Sequence, residues 1–119
     1  MTEANYFEKV YYVTCRIPVG RVSTYGAIAD YLALGSARMV GWALNKCNNN
    51  EYRIPAHRVI NRKGELSGRN NFTTPVMMQE LLQSEGVDVK NNVVVDFKEL
   101  LWHPGAHLRP VDEINSFEY

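Results

Sequence analysis

Phe7, Val10, Tyr11 and Thr14 fall on one face of the opening segment at helical spacing, and Tyr6, Val13 and Ile17 widen that stripe. The period predicts an amphipathic helix over 5–16. Pro18 ends it, because a proline disfavours helical geometry in the residue before it. After the Pro18-Val19-Gly20 turn, Ser23 or Thr24 is placed to cap a second helix running to about Leu34, with Gly35 as its stop. Ser36 then caps a third helix from Ala37 to about Lys46, whose inner face carries Val40, Ala43, Leu44 and Cys47. Two short helices joined by a glycine-containing turn form the helix-turn-helix pattern, in which the second helix meets nucleic acid.

The period breaks at Cys47-Asn48-Asn49-Asn50, which reads as a loop. Arg58-Val59-Ile60, a turn at Asn61 to Gly64 and then Leu66 predict a hairpin, the wing of a winged helix-turn-helix. Ser67 to Thr74 is polar and reads as a loop. Pro75 opens a helix through about Glu85 with Val76, Met77, Leu81 and Leu82 inward, and Gly86 stops it. Beyond it lie one β-like run, Val93-Val94-Val95, and a turn-rich tail with a Leu100-Leu101-Trp102 knot that caps the core. The fold class expected is mainly α with a small β component, a winged helix-turn-helix domain over residues 1–119 as a single unit.

Composition narrows the function classes. With 45% hydrophobic and 22% charged residues the chain can build a core. No apolar run approaches a membrane span, and residues 1–5 lack the start of a secretory signal, so a cytoplasmic monomer without membrane contact is expected. The two cysteines, Cys15 and Cys47, belong to no CxxC and no His cluster, so no metal, cofactor or disulfide framework is expected. Thirteen basic and thirteen acidic residues cancel, which argues against gripping DNA by charge alone. The signs are uneven, however. Arg53, Arg58, Arg62, Lys63 and Arg69 face only Glu65 in the middle of the chain, whereas acids outnumber bases after Asp88. One positive face therefore remains available at zero net charge.

The string Ile54-Pro55-Ala56-His57-Arg58-Val59-Ile60 sets a polar His-Arg pair between β-formers, just after a fixed turn. Taken alone it also fits a strand start with an exposed arginine and a hydrogen-bonded histidine. Its neighbours change the reading. Gly20-Arg21-Val22-Ser23-Thr24-Tyr25-Gly26, Ala37-Arg38-Met39-Val40-Gly41, Pro55 to Val59, and Glu80-Leu81-Leu82-Gln83-Ser84-Glu85-Gly86 occur in the order of four motifs of one family. Over about 20–86 the chain resembles the O6-alkylguanine-DNA alkyltransferases, whose active site reads Pro-Cys-His-Arg-Val. Ala56 stands where that family has its acceptor cysteine. Alkyl transfer needs a thiolate, and a methyl group has no lone pair. The chain is therefore similar to the alkyltransferase-like proteins, which bind the lesion, shield it and pass it to nucleotide-excision repair.

The resemblance implies roles residue by residue. Arg38 matches the arginine finger that enters the stack vacated by the flipped nucleotide, which suits a long planar cation. Tyr25, beside Thr24, matches the tyrosine that crowds the 3′ phosphate and rotates the nucleotide. Extruding a damaged base costs less than extruding a paired one. Ala37 and Gly41 are small enough for close backbone approach in the minor groove. Beside them, Trp42 is unexpectedly bulky: it either packs sideways or widens the contact. His57 and Glu85 match the activating base and its carboxylate; with Ala56 present they hold the pocket floor. Arg58 is a structural residue or a phosphate contact. The Asn of this network falls at Cys47 by one spacing and at Asn48 by another, and Asn48 has the chemistry. Arg69 matches an arginine in the flap over the pocket, placed for a cation–π contact with the purine.

The implied partners are double-stranded DNA carrying O6-alkylguanine and nucleotide-excision-repair proteins. Two rivals remain. One is a sequence-specific winged-helix regulator, which would need base-reading side chains along the second helix, where only Arg38 and Asn45 qualify. The other is a true alkyltransferase using Cys15, on the first helix, or Cys47, expected near the network rather than on the pocket wall.

Overall fold

The computed structural model describes residues 3–47 and 53–119. The first apolar stripe becomes α1 (Glu3–Arg16), which begins two residues earlier than its periodicity predicts. Val10, Tyr11, Val13 and Thr14 are buried in it. The Thr14 hydroxyl donates to the Val10 carbonyl at 2.7 Å, the local bond that lets a threonine sit inside a helix.

The chain then forms β1 (Ser23–Thr24) and α2 (Tyr25–Tyr31). Thr24 is the cap: its backbone is extended and its Oγ1 accepts the Ala27 amide at 3.0 Å. α2 ends before the expected Leu34. Ala33 takes the left-handed conformation at φ 57°, the Leu34 amide reaches back to the Ala29 carbonyl at 2.9 Å, and the Ala33 amide to Asp30 at 3.2 Å. These two bonds are a Schellman closure, and they bring Leu34 against the core. Gly35 thus follows the stop instead of making it. α3 (Ala37–Lys46) begins after Ser36, whose side chain makes no cap hydrogen bond, contrary to expectation. Val40, Ala43, Leu44 and Cys47 are buried as its period requires. Tyr11 Oη donates to the Ala43 carbonyl at 2.7 Å and Tyr6 Oη to that of Met39, so α1 is tied across the back of α3.

The hairpin expected over 58–66 is not there. β2 (Val59–Ile60) pairs in parallel with β1, Ser23 opposite Val59 and Thr24 opposite Ile60. The turn itself exists, with Asn61 Oδ1 accepting the Lys63 and Glu65 amides at 2.9 and 2.8 Å. Past it, Leu66 is fully buried and its amide goes to the Asn92 carbonyl at 2.9 Å, so the chain turns away from β2. The antiparallel hairpin of this fold is β3 (Val89–Lys90) with β4 (Val93–Val94). Its turn residues, Asn91 and Asn92, both have positive φ (55° and 62°), the requirement of a two-residue type I′ turn.

α4 (Met77–Ser84) starts two residues after Pro75. Val76, expected inward, is 53% exposed, and Met78 takes the buried place with Leu82. Gly86, at φ 88°, stops the helix as predicted. The tail folds as α5 (Phe97–Leu100) and α6 (Pro104–His107). Val22 exchanges backbone bonds with Leu100 (3.1 Å) and Trp102 (2.7 Å), and the Trp102 ring is buried with His107 stacked on it. The tail caps the core here.

Two apolar clusters result. One joins α1, α2, α3, Val59 and Trp102; the other joins Val22, Ile60, Leu66, Met78, Leu82, Val87 and Val94. The β1–β2 pair lies between them, Val59 facing one and Ile60 the other, as strand alternation demands. The site described next lies on the seam of these clusters.

Candidate nucleic-acid interface

Pro55 sets the first element of the site. At φ −81° and ψ 64°, with the Ala56 amide bonded to the Ile54 carbonyl at 2.8 Å, it is the centre of an inverse γ-turn. A 3₁₀ turn over Ala56–Arg58 follows, and Ala56 forms part of the wall of a cleft. On one side of that cleft stand Tyr25, Leu44 and Cys47; on the other, Gly68, Phe72 and Met78. The cavity holds about 20 Å³, room for a water molecule or so. As it stands the cleft is too small for a purine.

Beside the cleft, an open depression of about 440 Å³ runs along α3, bordered by Tyr25, Ala37, Arg38, Gly41, Trp42 and Asn45. Arg38 is exposed there. A third depression is bordered by Tyr25, Ala37, Arg62 and Lys63. Tyr25 borders all three, and Asn45 both of the first two. Sequence spacing brings Arg38, Ala37, Gly41 and Asn45 together on one helix, but the convergence of Ala56, Tyr25 and the Arg62–Lys63 turn with them is tertiary. Phe72, Met78 and Asn71 also line the cleft and were not singled out; their only signal is position near the flap.

Below Ala56 lies a charged knot. His57 Nε2 donates to Glu85 Oε2 at 2.8 Å, while Arg58 grips the same carboxylate with Nε (3.0 Å to Oε1) and a terminal nitrogen (2.8 Å to Oε2). The other terminal nitrogen of Arg58 donates to the Ile17 carbonyl at 2.8 Å. Arg58 is therefore a structural tie between the ends of α1 and α4. Burial pushes the His57 imidazole down, more than the Glu85 hydrogen bond and charge raise it, so it is neutral at pH 7 and carries its proton on Nε2. Burial raises the Glu85 carboxyl, but hydrogen bonds from Arg58 and His57 outweigh it and hold it below its ordinary value.

Two expectations shift. Cys47 is on the cleft wall, not away from it, because the last turn of α3 rolls its buried face toward Ala56. Burial pushes its thiol up to about 11, and Sγ donates to the Leu44 carbonyl at 3.2 Å. At neutral pH roughly one molecule in 10⁴ would carry the thiolate. Cys15 is also raised, by burial, and lies on α1. Arg69 does not border the cleft; its guanidinium donates to the Leu66 carbonyl at 3.0 Å, within its own loop. Asn48 lies outside the described residues. Among the described residues no group of His, Cys, Asp or Glu could hold a metal, and no helix is long and apolar enough to cross a membrane.

The flap is tied to Tyr25. Burial raises the Tyr25 phenol, and a hydrogen bond with Ser67 lowers it by less, so it stays protonated. A Cβ added at Gly68 would stand 2.7 Å from Tyr25 Oη, closer than atoms tolerate. Gly68→Ala is therefore expected to destabilise the protein by about 1–3 kcal/mol through overpacking. Urea unfolding would read this, and most of the loss should return in the Gly68→Ala/Tyr25→Phe double variant, which removes the clashing oxygen. Equal losses in both would place the fault elsewhere.

Residues 5–87 match the family model described as the 6-O-methylguanine DNA methyltransferase DNA-binding domain. Alkyltransferase-like protein 1 of Schizosaccharomyces pombe is 38% identical over 104 residues, covering 83% of this chain and 95% of that protein. The DNA base-flipping protein of Vibrio parahaemolyticus is 32% identical over 97 residues, covering 81% and 94%. Among solved structures, S. pombe Atl1 in complex with damaged DNA containing O6-carboxymethylguanine superposes with a TM-score of 0.74 at 36% identity, covering 87% of this chain and all of that one.

Proposed function

Because this chain belongs to the family of the 6-O-methylguanine DNA methyltransferase DNA-binding domain, we propose that it recognises O6-alkylguanine in double-stranded DNA by flipping the damaged nucleotide into the Ala56 cleft. One observation carries the reading: Tyr25 borders the cleft, the Arg38 depression and the depression formed by Arg62, Lys63 and Glu65 together. A nucleotide leaving the stack at Arg38 has a direct path past Tyr25 to Ala56. α3 lies in the minor groove, where Ala37 and Gly41 permit close approach and Arg38 fills the gap in the stack. Tyr25, presented by the Thr24-capped helix, presses the 3′ phosphate. The relatives named for base flipping, and the one bound to DNA containing O6-carboxymethylguanine, support this assignment.

Ala56 takes the place of the family's acceptor cysteine, and its methyl group cannot accept an alkyl group. The Cys47 thiol, protonated and bonded to Leu44, is no substitute. The protein therefore binds without transfer, as a monomer, and shields the lesion until nucleotide-excision-repair proteins take it. His57, Arg58, Glu85 and Pro55 hold the cleft floor, and Asn48 supplies the family's network amide.

The test is binding to one duplex with and without a single O6-methylguanine, the methyl carrying a radiolabel. The expected result is at least ten-fold tighter binding of the modified duplex, with no label left on the protein. Equal affinities would favour the sequence-specific regulator, and retained label would make the chain an enzyme. Within this reading the Arg69 guanidinium leaves the Leu66 carbonyl when the flap opens and lies on the purine face. Arg69→Ala is then expected to reduce the preference for modified over unmodified duplex more than it reduces overall affinity. A uniform loss would make Arg69 a phosphate contact.

A further inference from the structure

Trp42 is not used by any step above. It is 53% exposed, one of the few large apolar side chains left open, and an indole in water is a cost that folding did not remove. Its position is specific. It borders the Arg38 depression on one side and, on the other, a separate concavity of about 550 Å³ formed with Phe7, Asn45 and Lys46. Trp42 is thus a partition between the stack-entering arginine and a second recess whose far rim is a lysine. Arg38, Trp42 and Lys46 are spaced four residues apart on α3, so they share one face at intervals of about 6 Å. That interval is on the order of two nucleotide steps along a strand, at about 3.4 Å each. Phe7 comes from α1, which is held in place against α3 by the Tyr6 and Tyr11 hydroxyls. The recess is therefore built on two tied helices. Among the described residues no acidic side chain borders either concavity, and Arg38 and Lys46 do, so their charge suits a polyanion.

We infer that the recess walled by Phe7, Trp42, Asn45 and Lys46 is a second nucleotide site, which takes a nucleotide flanking the extruded one, its base against the indole and its phosphate at Lys46. The inference rests on the proposed DNA reading and extends its footprint beyond the lesion. An aromatic platform with a neighbouring cation binds any base, since every base has a π-face and every nucleotide a phosphate. The site therefore contributes affinity and register without reading the adduct. DNA is favoured over a protein partner because the recess continues the face that Arg38 occupies and carries positive charge.

The protein reports on this directly. Its two tryptophans differ sharply in exposure, Trp42 open and Trp102 buried at 4%, so acrylamide quenching of intrinsic fluorescence reads Trp42. Saturation with duplex, followed independently by anisotropy of a dye-labelled DNA, is expected to lower the quenching constant several-fold. Trp42→Ala is expected to weaken binding about ten-fold for modified and unmodified duplex alike, leaving their ratio unchanged, and Trp42→Phe to restore most of it. Lys46→Ala is expected to reduce the salt slope by about one. An indole that stays equally quenchable in the saturated complex, or a Trp42→Ala protein of undiminished affinity, overturns the inference and leaves the face to a protein partner. Absence of any lesion preference in the anisotropy of the unaltered protein would instead sink the parent reading. The quenching result stands apart from it, because unmodified duplex covers the same recess.

Discussion

Glu85→Ala is expected to cost about 3–5 kcal/mol of folding stability, the range seen when one partner of a buried ion pair is removed. Glu85 receives three hydrogen bonds, two from Arg58 and one from His57, and all three side chains are nearly enclosed. Removing the carboxylate leaves the Arg58 guanidinium, among the described residues, with the Ile17 carbonyl alone, and leaves the His57 N–H without its acceptor. The loss should lower the melting temperature by on the order of 10 °C or more. Glu85→Gln, which keeps an acceptor and the shape, should fall between. A loss below about 1 kcal/mol for Glu85→Ala would mean that water replaces the carboxylate freely and that the knot does not hold the cleft floor.

The same knot sets the response to acid. His57 and Glu85 both titrate lower in the folded chain than their ordinary values of 6.5 and 4.5. Below those values the unfolded chain binds more protons than the folded one, so stability that is present above them is lost as pH falls. Denaturation midpoints should therefore decline first below about pH 6.5, as His57 protonates at the expense of the fold, and again below about 4.5, as Glu85 does. In Glu85→Ala the second decline should shrink.

Arg38→Ala is expected to weaken binding of a duplex carrying O6-methylguanine by ten-fold or more, with the fold intact. Arg38 is exposed and makes no packing contribution to either core cluster, so stability should change by less than about 0.5 kcal/mol. Under the proposed function the loss has a specific origin. Without a side chain to fill the vacated stack, the extruded state is no longer held against re-insertion, and extrusion itself costs a few kcal/mol. A thermal melt and a gel shift on the same preparation separate the two effects. Affinity within two-fold of the unaltered protein would remove Arg38 from the stack and make it a solvated helix charge. Lysine at this position should recover little, because it lacks the planar surface that stacks on bases.

The helices were legible because their signals are local. α1 and α3 follow from apolar period and the end of α4 from Gly86, while the cap of α2 was narrowed to Ser23 or Thr24, of which the structure uses Thr24. Positions on a single helix were legible too, so Arg38, Ala37, Gly41 and Asn45 came together on paper as they do in space. Where reading along the chain failed, a distant segment had decided. Val59–Ile60 was expected to pair across the 61–64 turn with the segment at Leu66, but it pairs with Ser23–Thr24, thirty-six positions earlier. Two-residue strands carry too little pattern to name a partner. The Asn91-Asn92 pair carries the residue types of a type I′ turn, but only the Val93-Val94-Val95 run beside it has strand character in the sequence.

Residue types and local spacing by themselves determined two short helices joined by a turn, a methyl at position 56 and a polar His-Arg pair beside it; what these mean for DNA came only from the family resemblance. They did so because helical period, side-chain chemistry and capping act within a few residues. Only the tertiary structure decided that Cys47 faces the cleft, that Arg58 is bonded to Glu85 and Ile17, that Arg69 rests on its own loop, and that the cleft beside Ala56 is narrow. The Cys47 and Arg58 placements depend on packing against residues distant along the chain, a choice that local preference does not make, whereas the Arg69 bond spans three residues and follows from the conformation of its loop.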